Sequence, residues 1–221
     1  MTASKVSQAS VAIIVTSTRT PRVGPKIANI VKDIVEEADK NETKLSLVDL
    51  ADFKLPIYDE TVVPYQVPSQ ATYANEHSRR WSAEISKHDA YVLVIPEYNY
   101  GMAGSTKNAI DYLRNEWMGK PAAIVSYGMT GGKNASEQVK LSLEGTEMRV
   151  SPTRPQLIFF KNDEVSDIFT AMHEGELGEK SREVWTDNYK EDILKAFGEL
   201  KEALKSPLTN IENQESGMYC F

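Results

Sequence analysis

Five short runs rich in β-branched and aliphatic residues stand out along the chain: VAIIVT (11–16), KLSLVDL (44–50), YVLVI (91–95), AAIVSY (122–127) and PQLIFF (155–160). Four are nearly continuous, as in parallel strands covered on both faces, and KLSLVDL alternates. Between them apolar residues recur at helical spacing. Ile27, Ile30, Val31, Ile34 and Val35 form one stripe, and Tyr73, His77, Trp81 and Ile85 a second. Ala109, Ile110, Leu113 and Trp117 form a third; Val139, Leu141 and Leu143 a fourth. A longer stripe joins Val184, Trp185, Tyr189, Ile193, Leu194, Phe197, Leu200 and Leu204. Strand–helix alternation of this kind predicts an α/β protein with an open parallel sheet, and right-handed crossovers put helices on both of its faces.

The remaining segments divide the chain. Residues 1–9 are polar, 10–205 carry the alternation, and 206–221 lose all periodicity, so the tail is expected to lie outside the folded domain. Residues 51–70 contain three prolines and are too long for a turn, which points to a functional or partner-contacting loop. Residues 161–180 read as an irregular, acidic excursion before the last helix.

Charge and composition mainly exclude. A net charge of −7 argues against nucleic acid, which needs a basic face, so any anionic ligand must be held by a local site. The single cysteine, Cys220, rules out an intrachain disulfide, and His77, His88 and His173 lack metal-ligand spacing; no metal site is expected. MTASKVSQAS lacks the basic-then-apolar pattern of a signal peptide, and no apolar run is long enough to span a membrane. A cytoplasmic location is the expectation. Neither a P-loop, a G-x-G-x-x-G turn nor a G-x-S-x-G elbow occurs.

Candidate chemistry collects where strands end, which in open α/β sheets is where ligands bind. After the first strand comes TSTRTPRVGPK, with hydroxyls, two arginines and a glycine leading into a helix. Such a helix start suits a phosphate, although a Pro-defined turn into a capped helix has the same composition. The third strand runs into PEYNYGMAGSTKN, where Pro96 is expected to end the strand and Tyr98 and Tyr100 offer flat faces to a planar ring. Gly101 and Gly104 would let backbone approach a ligand, and Ser105 begins a helix. The fourth strand ends in SYGMTGG, another glycine-rich bend with an aromatic. A phosphate site without either nucleotide fingerprint suggests a mononucleotide.

In this order and spacing, TSTRTPRVGPKIA, PEYNYGMAGSTKNAIDYL and SYGMTGG resemble the NADPH-dependent FMN reductase family of flavodoxin-like quinone and azo reductases. The resemblance covers most of residues 10–205. It implies a flavodoxin-like three-layer sandwich, with a five-stranded parallel sheet of order 2-1-3-4-5 and bound FMN. The phosphate would rest on Ser17, Arg19, Val23 and Gly24. Pro96, Glu97, Tyr98, Asn99 and Tyr100 would line the isoalloxazine, and Ser126, Tyr127 and Gly128 its other edge. Thr16 stands where the family often has Gly, for which tighter packing without loss of phosphate binding is expected.

The implied activity is ping-pong transfer of two electrons by hydride from NADPH, with NADH as the alternative donor, through FMN to quinones or similar small acceptors. The flavin performs the chemistry, so no catalytic acid or base is needed. A carboxylate facing a reduced flavin would repel it; Glu97 is therefore expected to turn outward or brace its loop. A homodimer or tetramer follows from the resemblance, with Tyr112 and Trp117 as candidate contacts. The alternative from another class is a protein-binding module whose affinity follows flavin redox state, with incidental reductase activity.

Overall fold

The computed structural model describes residues 8–68, 73–161 and 166–206. Most of the segment 1–9 and of the tail 206–221, with Cys220, lies outside the described residues. The strands are β1 (Ser10–Val15), β2 (Lys44–Asp49), β3 (Ala90–Tyr98), β4 (Gly101–Met102), β5 (Pro121–Gly128), β6 (Arg149–Val150) and β7 (Gln156–Ile158). The helices are α1 (Gly24–Asp39), α2 (Glu76–Ser86), α3 (Gly104–Asp111), α4 (Lys133–Gly145), α5 (Asp167–His173), α6 (Glu179–Asn188) and α7 (Lys190–Lys205).

Parallel pairing runs β2-β1-β3-β5, with β6 and β7 both on the far edge of β5. The five sheet positions thus follow the flavodoxin-like order 2-1-3-4-5, but seven strand segments fill them instead of five. Two causes account for the difference. Pro152 and Pro155 break the last position in two, since proline has no N–H for the ladder; Pro155 serves only as acceptor, from the N–H of Ser126 at 3.0 Å. In addition, β4 folds back antiparallel on β3.

Alternation along the strands feeds two apolar layers. Val11, Ile13 and Val15 of β1 face α1, α6 and α7, where Ile27, Val31, Trp185, Phe197 and Leu200 are buried. Ala12 and Ile14 face the other way, towards Trp81, Ile85, Ile110, Trp117 and Val139 of the α2–α4 side. Both faces of the sheet are covered, which is why the strands read as continuous apolar runs.

Four expectations need correction. Leu141 is 74% exposed, because α4 turns Ala135, Val139 and Leu143 inward at intervals of four. The C-terminal stripe belongs to two helices, broken at Tyr189. Pro96 lies inside β3 and pairs in register with Tyr127. Val94 turns its carbonyl to the β1 side, where it accepts the Thr16 N–H, and alternation points the missing donor of Pro96 the same way, past the end of β1. Tyr112 and Trp117 are buried in their own chain, at 0% and 1% exposure, and cannot supply a contact between subunits.

The described part of the 51–70 loop is tied down by polar bonds. Asn108 accepts the Tyr58 N–H (3.0 Å) and donates to the Pro56 carbonyl (2.6 Å). Asp59 receives the Tyr112 hydroxyl (2.9 Å) and meets His77 Nε2 at 2.9 Å. The bond to His77 leads in holding the Asp59 carboxyl below its usual range. A depressed folded value gives stability that is present above the unfolded carboxylate range and lost as pH falls through the folded one. Asp59→Asn is therefore expected to melt below the native protein at pH 7, with the gap closing at acid pH; a gap of constant width would contradict the linkage.

Candidate reductase site

Three loops converge at the carboxyl ends of β1, β3 and β5. The first leads into α1, whose start carries Val23 with no side-chain cap, Pro25 in the first turn and no acid. Its positive end is left open to an anion. Ser17 is fully buried, and its Oγ makes no well-formed hydrogen bond among the described residues, although the Tyr127 hydroxyl stands near enough to interact with it. A buried hydroxyl without a partner is costly unless a ligand completes it. Arg22 lines this opening with its charge already paired. Its guanidinium pairs bidentately with Asp49 (3.0 and 2.6 Å) and donates to the Ser17 carbonyl (3.0 Å), fastening the loop to the end of β2. Arg19 is exposed, with its guanidinium carbon 5.6 Å from the centre of the Tyr98 ring.

Thr16 packs as expected: it is 2% exposed, with its hydroxyl bonded to Val94 O (3.2 Å) and to Thr106 Oγ1 (2.8 Å). Ser105 donates to the Thr16 carbonyl at 2.8 Å, so the start of α3 holds the end of β1.

The second loop is a hairpin. Glu97 pairs with Met102 and Tyr98 with Gly101, while Asn99 (φ 48°) and Tyr100 (φ 62°) turn in the left-handed region. That geometry matches the twist of the flanking strands, but it is uncommon for tyrosine and costs energy. Tyr98 is half-buried, burial raising its phenol pKa, while Tyr100 projects at 81% exposure. Gly101 sits against the Gln138 side chain, and Gly104 faces open space.

The third loop is braced from within. Ser126 is fully buried and donates to the Gly131 carbonyl at 2.7 Å, so it shapes the bend without reaching the opening. Tyr127 turns its ring towards Phe159 (centroids 6.4 Å apart), and its hydroxyl reaches the space beside Gly24. Burial pushes its phenol pKa up. Glu97 braces its surroundings too: Oε2 accepts the N–H groups of Asn134 (2.9 Å) and Ala135 (3.1 Å) at the start of α4.

Between these loops lies a cavity of about 500 Å³. Arg19, Arg22 and Val23 form its first side, Pro96 to Tyr100 its second, and Tyr127 to Thr130 its third. Phe159 with Ile168, Ala171 and Met172 of α5 makes a fourth, apolar wall. Residues 161–180 were read as irregular, and this wall was missed. α5 spans only seven residues, and its one other buried residue, Asp167, is polar and accepts the Ser181 N–H at 2.6 Å. Ile168, Ala171 and Met172 do recur at helical spacing, but over so short a stretch that the stripe does not stand out.

Residues 9–159 match the NADPH-dependent FMN reductase family. The chain belongs to that family. It is an oxidoreductase that works with FMN and NAD(P)H. Among its relatives, the NAD(P)H-dependent FMN reductase ntnL of Nectria sp is 47% identical over 201 residues, 90% of this chain and 98% of the relative. A quinone reductase of Pseudomonas putida is 34% identical over 146 residues, 63% of this chain and 72% of the relative. FerB, a flavoenzyme NAD(P)H:(acceptor) oxidoreductase from Paracoccus denitrificans, has the same fold with a TM-score of 0.60 at 21% identity, covering 86% of this chain and 97% of its own.

The reductase's own residues fit a flavin mononucleotide. The unpaired Ser17 hydroxyl, the uncapped start of α1 and Arg19 suit the phosphate, and the slot between Tyr98 and the β5–α4 loop suits a flat ring. α5 lies beyond the residues that match the family, so one wall of this reductase's cavity comes from outside the shared motif. Among the described residues, no helix is long and apolar enough to cross a membrane.

Proposed function

We propose that this reductase binds FMN in the cavity with the phosphate on Ser17, Arg19, Val23 and Gly24. The ring would lie between Pro96–Tyr100 and the backbone of Tyr127–Gly128. NADPH would donate and a quinone or similar small, flat molecule accept, in turn at one face, a ping-pong cycle carried by one domain over residues 10–205. Bound FMN supplies the chemistry, taking up and handing on two electrons with a hydride. The protein's part is to position it. Arg22 and Asp49 fix the phosphate loop, Glu97 and Ser126 fix the two ring loops, and Tyr98 shields one face from water. Self-association belongs to the same proposal and rests on the resemblance alone; a cytoplasmic location is carried over from the sequence reading.

One observation carries the reading: the buried Ser17 hydroxyl makes no well-formed hydrogen bond and lies beside Gly24 at an uncapped helix start, next to Val23 and Tyr127 of the aromatic-lined cavity. Quinones as acceptors are supported by the quinone reductase among the relatives. An absorbance spectrum of the purified protein tests both. Flavin bands that bleach under anaerobic NADPH and return with a quinone are expected; a colourless protein that takes up no added FMN would end the proposal. Arg19→Ala and Tyr98→Ala are each expected to weaken FMN retention by roughly tenfold or more, through loss of a charge-assisted bond and of ring contact respectively. Full yellow colour after desalting in both variants would contradict that placement.

A further inference from the structure

Among the described residues, Glu97 is the one acid in the cavity wall. Its partners are backbone N–H groups, not a cation: Oε2 bonds to Asn134 and Ala135, the second and third residues of α4. That helix supplies no cap of its own. Gly132 precedes it, and its first turn carries no acid. Glu137, further along, is engaged by Arg154 at 2.6 Å. The carboxylate that faces the positive end of α4 therefore comes from the neighbouring strand. A second anchor fixes its place: Gln138 of α4 accepts the Met102 N–H at 2.8 Å, so hairpin and helix are joined at two points.

We propose that Glu97 sets the reduction potential of the flavin, an inference that rests on the reading of the cavity as an FMN site. Reduction puts negative charge on the ring. The open start of α4, next to the ring loop Tyr127–Thr130, would stabilise that charge. Glu97 occupies two of its free donors and adds a negative charge of its own, so reduced flavin is disfavoured relative to oxidised. The bound cofactor is thereby kept a stronger reductant towards its acceptors. Without the β3–β4 hairpin and its tie to Gln138, the carboxylate would swing into solvent and lose most of this influence, since exposed charges are screened.

The midpoint potential of bound FMN, measured by equilibration with a reference dye, tests this. Glu97→Gln keeps the size of the side chain and one acceptor oxygen but removes the charge. Reduced FMN is expected to gain about tenfold in binding relative to oxidised FMN, an upward shift of about 30 mV for a two-electron couple. Asn134→Asp places a new charge at the same helix end and is expected to shift the potential down, by less than Glu97→Gln raises it because the residue is exposed and partly screened. A purely structural role for Glu97 would weaken both redox forms alike and leave the potential unmoved; that result, or a fall in Glu97→Gln, overturns the inference. Should Glu97→Gln lose FMN altogether, Asn134→Asp decides, and a potential equal to or above the native value refutes the proposal. A native protein that takes up no FMN overturns the cavity reading itself, and this inference with it. Native protein that binds FMN, with variants of unchanged potential, overturns the inference alone.

Discussion

A Gly24→Ala variant is expected to bind FMN at least about a hundredfold more weakly than the native protein, close to 2.7 kcal/mol, while its weaker affinity for riboflavin stays nearly unchanged. The reason is space. A Cβ on Gly24 would lie 2.2 Å from Ser17 Oγ, 2.9 Å from the Tyr127 hydroxyl and 3.2 Å from Val15 Cγ1. Val15 and Tyr127 are locked in the apolar layer beneath, so the Ser17 hydroxyl is the group that must rotate away. Its displacement removes a donor from the phosphate, worth about 1.5–3 kcal/mol for a charged acceptor, and the new methyl crowds the helix start as well. Overpacking costs about 1–3 kcal/mol, which a domain of this size survives. Fluorescence titration with both flavins provides the measurement. Equal losses for FMN and riboflavin would show a general collapse of the cavity, and unchanged FMN binding would place the phosphate elsewhere.

Trp117→Ala is expected to lower stability by about 3–5 kcal/mol without changing the number of subunits in the particle. Trp117 packs edge-on against Tyr91 (centroids 4.9 Å apart) and Trp81 (6.1 Å), and Phe53 closes on Trp81 from the other side (4.9 Å). Removing the indole leaves a hole among rigid rings that cannot collapse. For a chain of this length the melting temperature should fall by roughly 10 °C or more. Calorimetry paired with size-exclusion chromatography separates this from an interface role, for which dissociation with little loss of melting temperature would be the signature.

What could be read from the sequence was what backbone chemistry dictates locally. The β-branched runs became strands because both faces of the sheet are covered. The three unusual strand ends were legible because parallel strands leave their carboxyl ends facing the same side. The braced carboxylate of Glu97 followed from charge alone. The features that escaped depend on partners distant in sequence. Arg22 shares the arginine-containing first loop with Arg19, and only its pairing with Asp49, 27 positions away, sets the two apart. Ser126 looked like a ligand contact, but its acceptor is the Gly131 carbonyl inside its own loop. Trp117 reads the same in a core or at an interface, because periodicity shows which face is apolar and not what covers it. α5 escaped because its seven residues, about two turns with a buried Asp167, carry a stripe too short to separate from a loop.

The three tryptophans are all buried, but on different sides of the sheet: Trp81 and Trp117 in one layer, Trp185 in the other. Trp185 packs at a tilt against Phe159, centroids 5.0 Å apart, itself part of the cavity wall, and donates its indole N–H to the Ile158 carbonyl at 2.7 Å. The protein thus carries its own pair of optical probes. With Trp185 replaced by Phe, the remaining ultraviolet emission comes from the far layer and follows unfolding there. In a Trp81→Phe, Trp117→Phe chain the surviving lamp stands one ring behind the cavity proposed for the flavin, and its brightness is then expected to follow loading and discharge of the cofactor in real time.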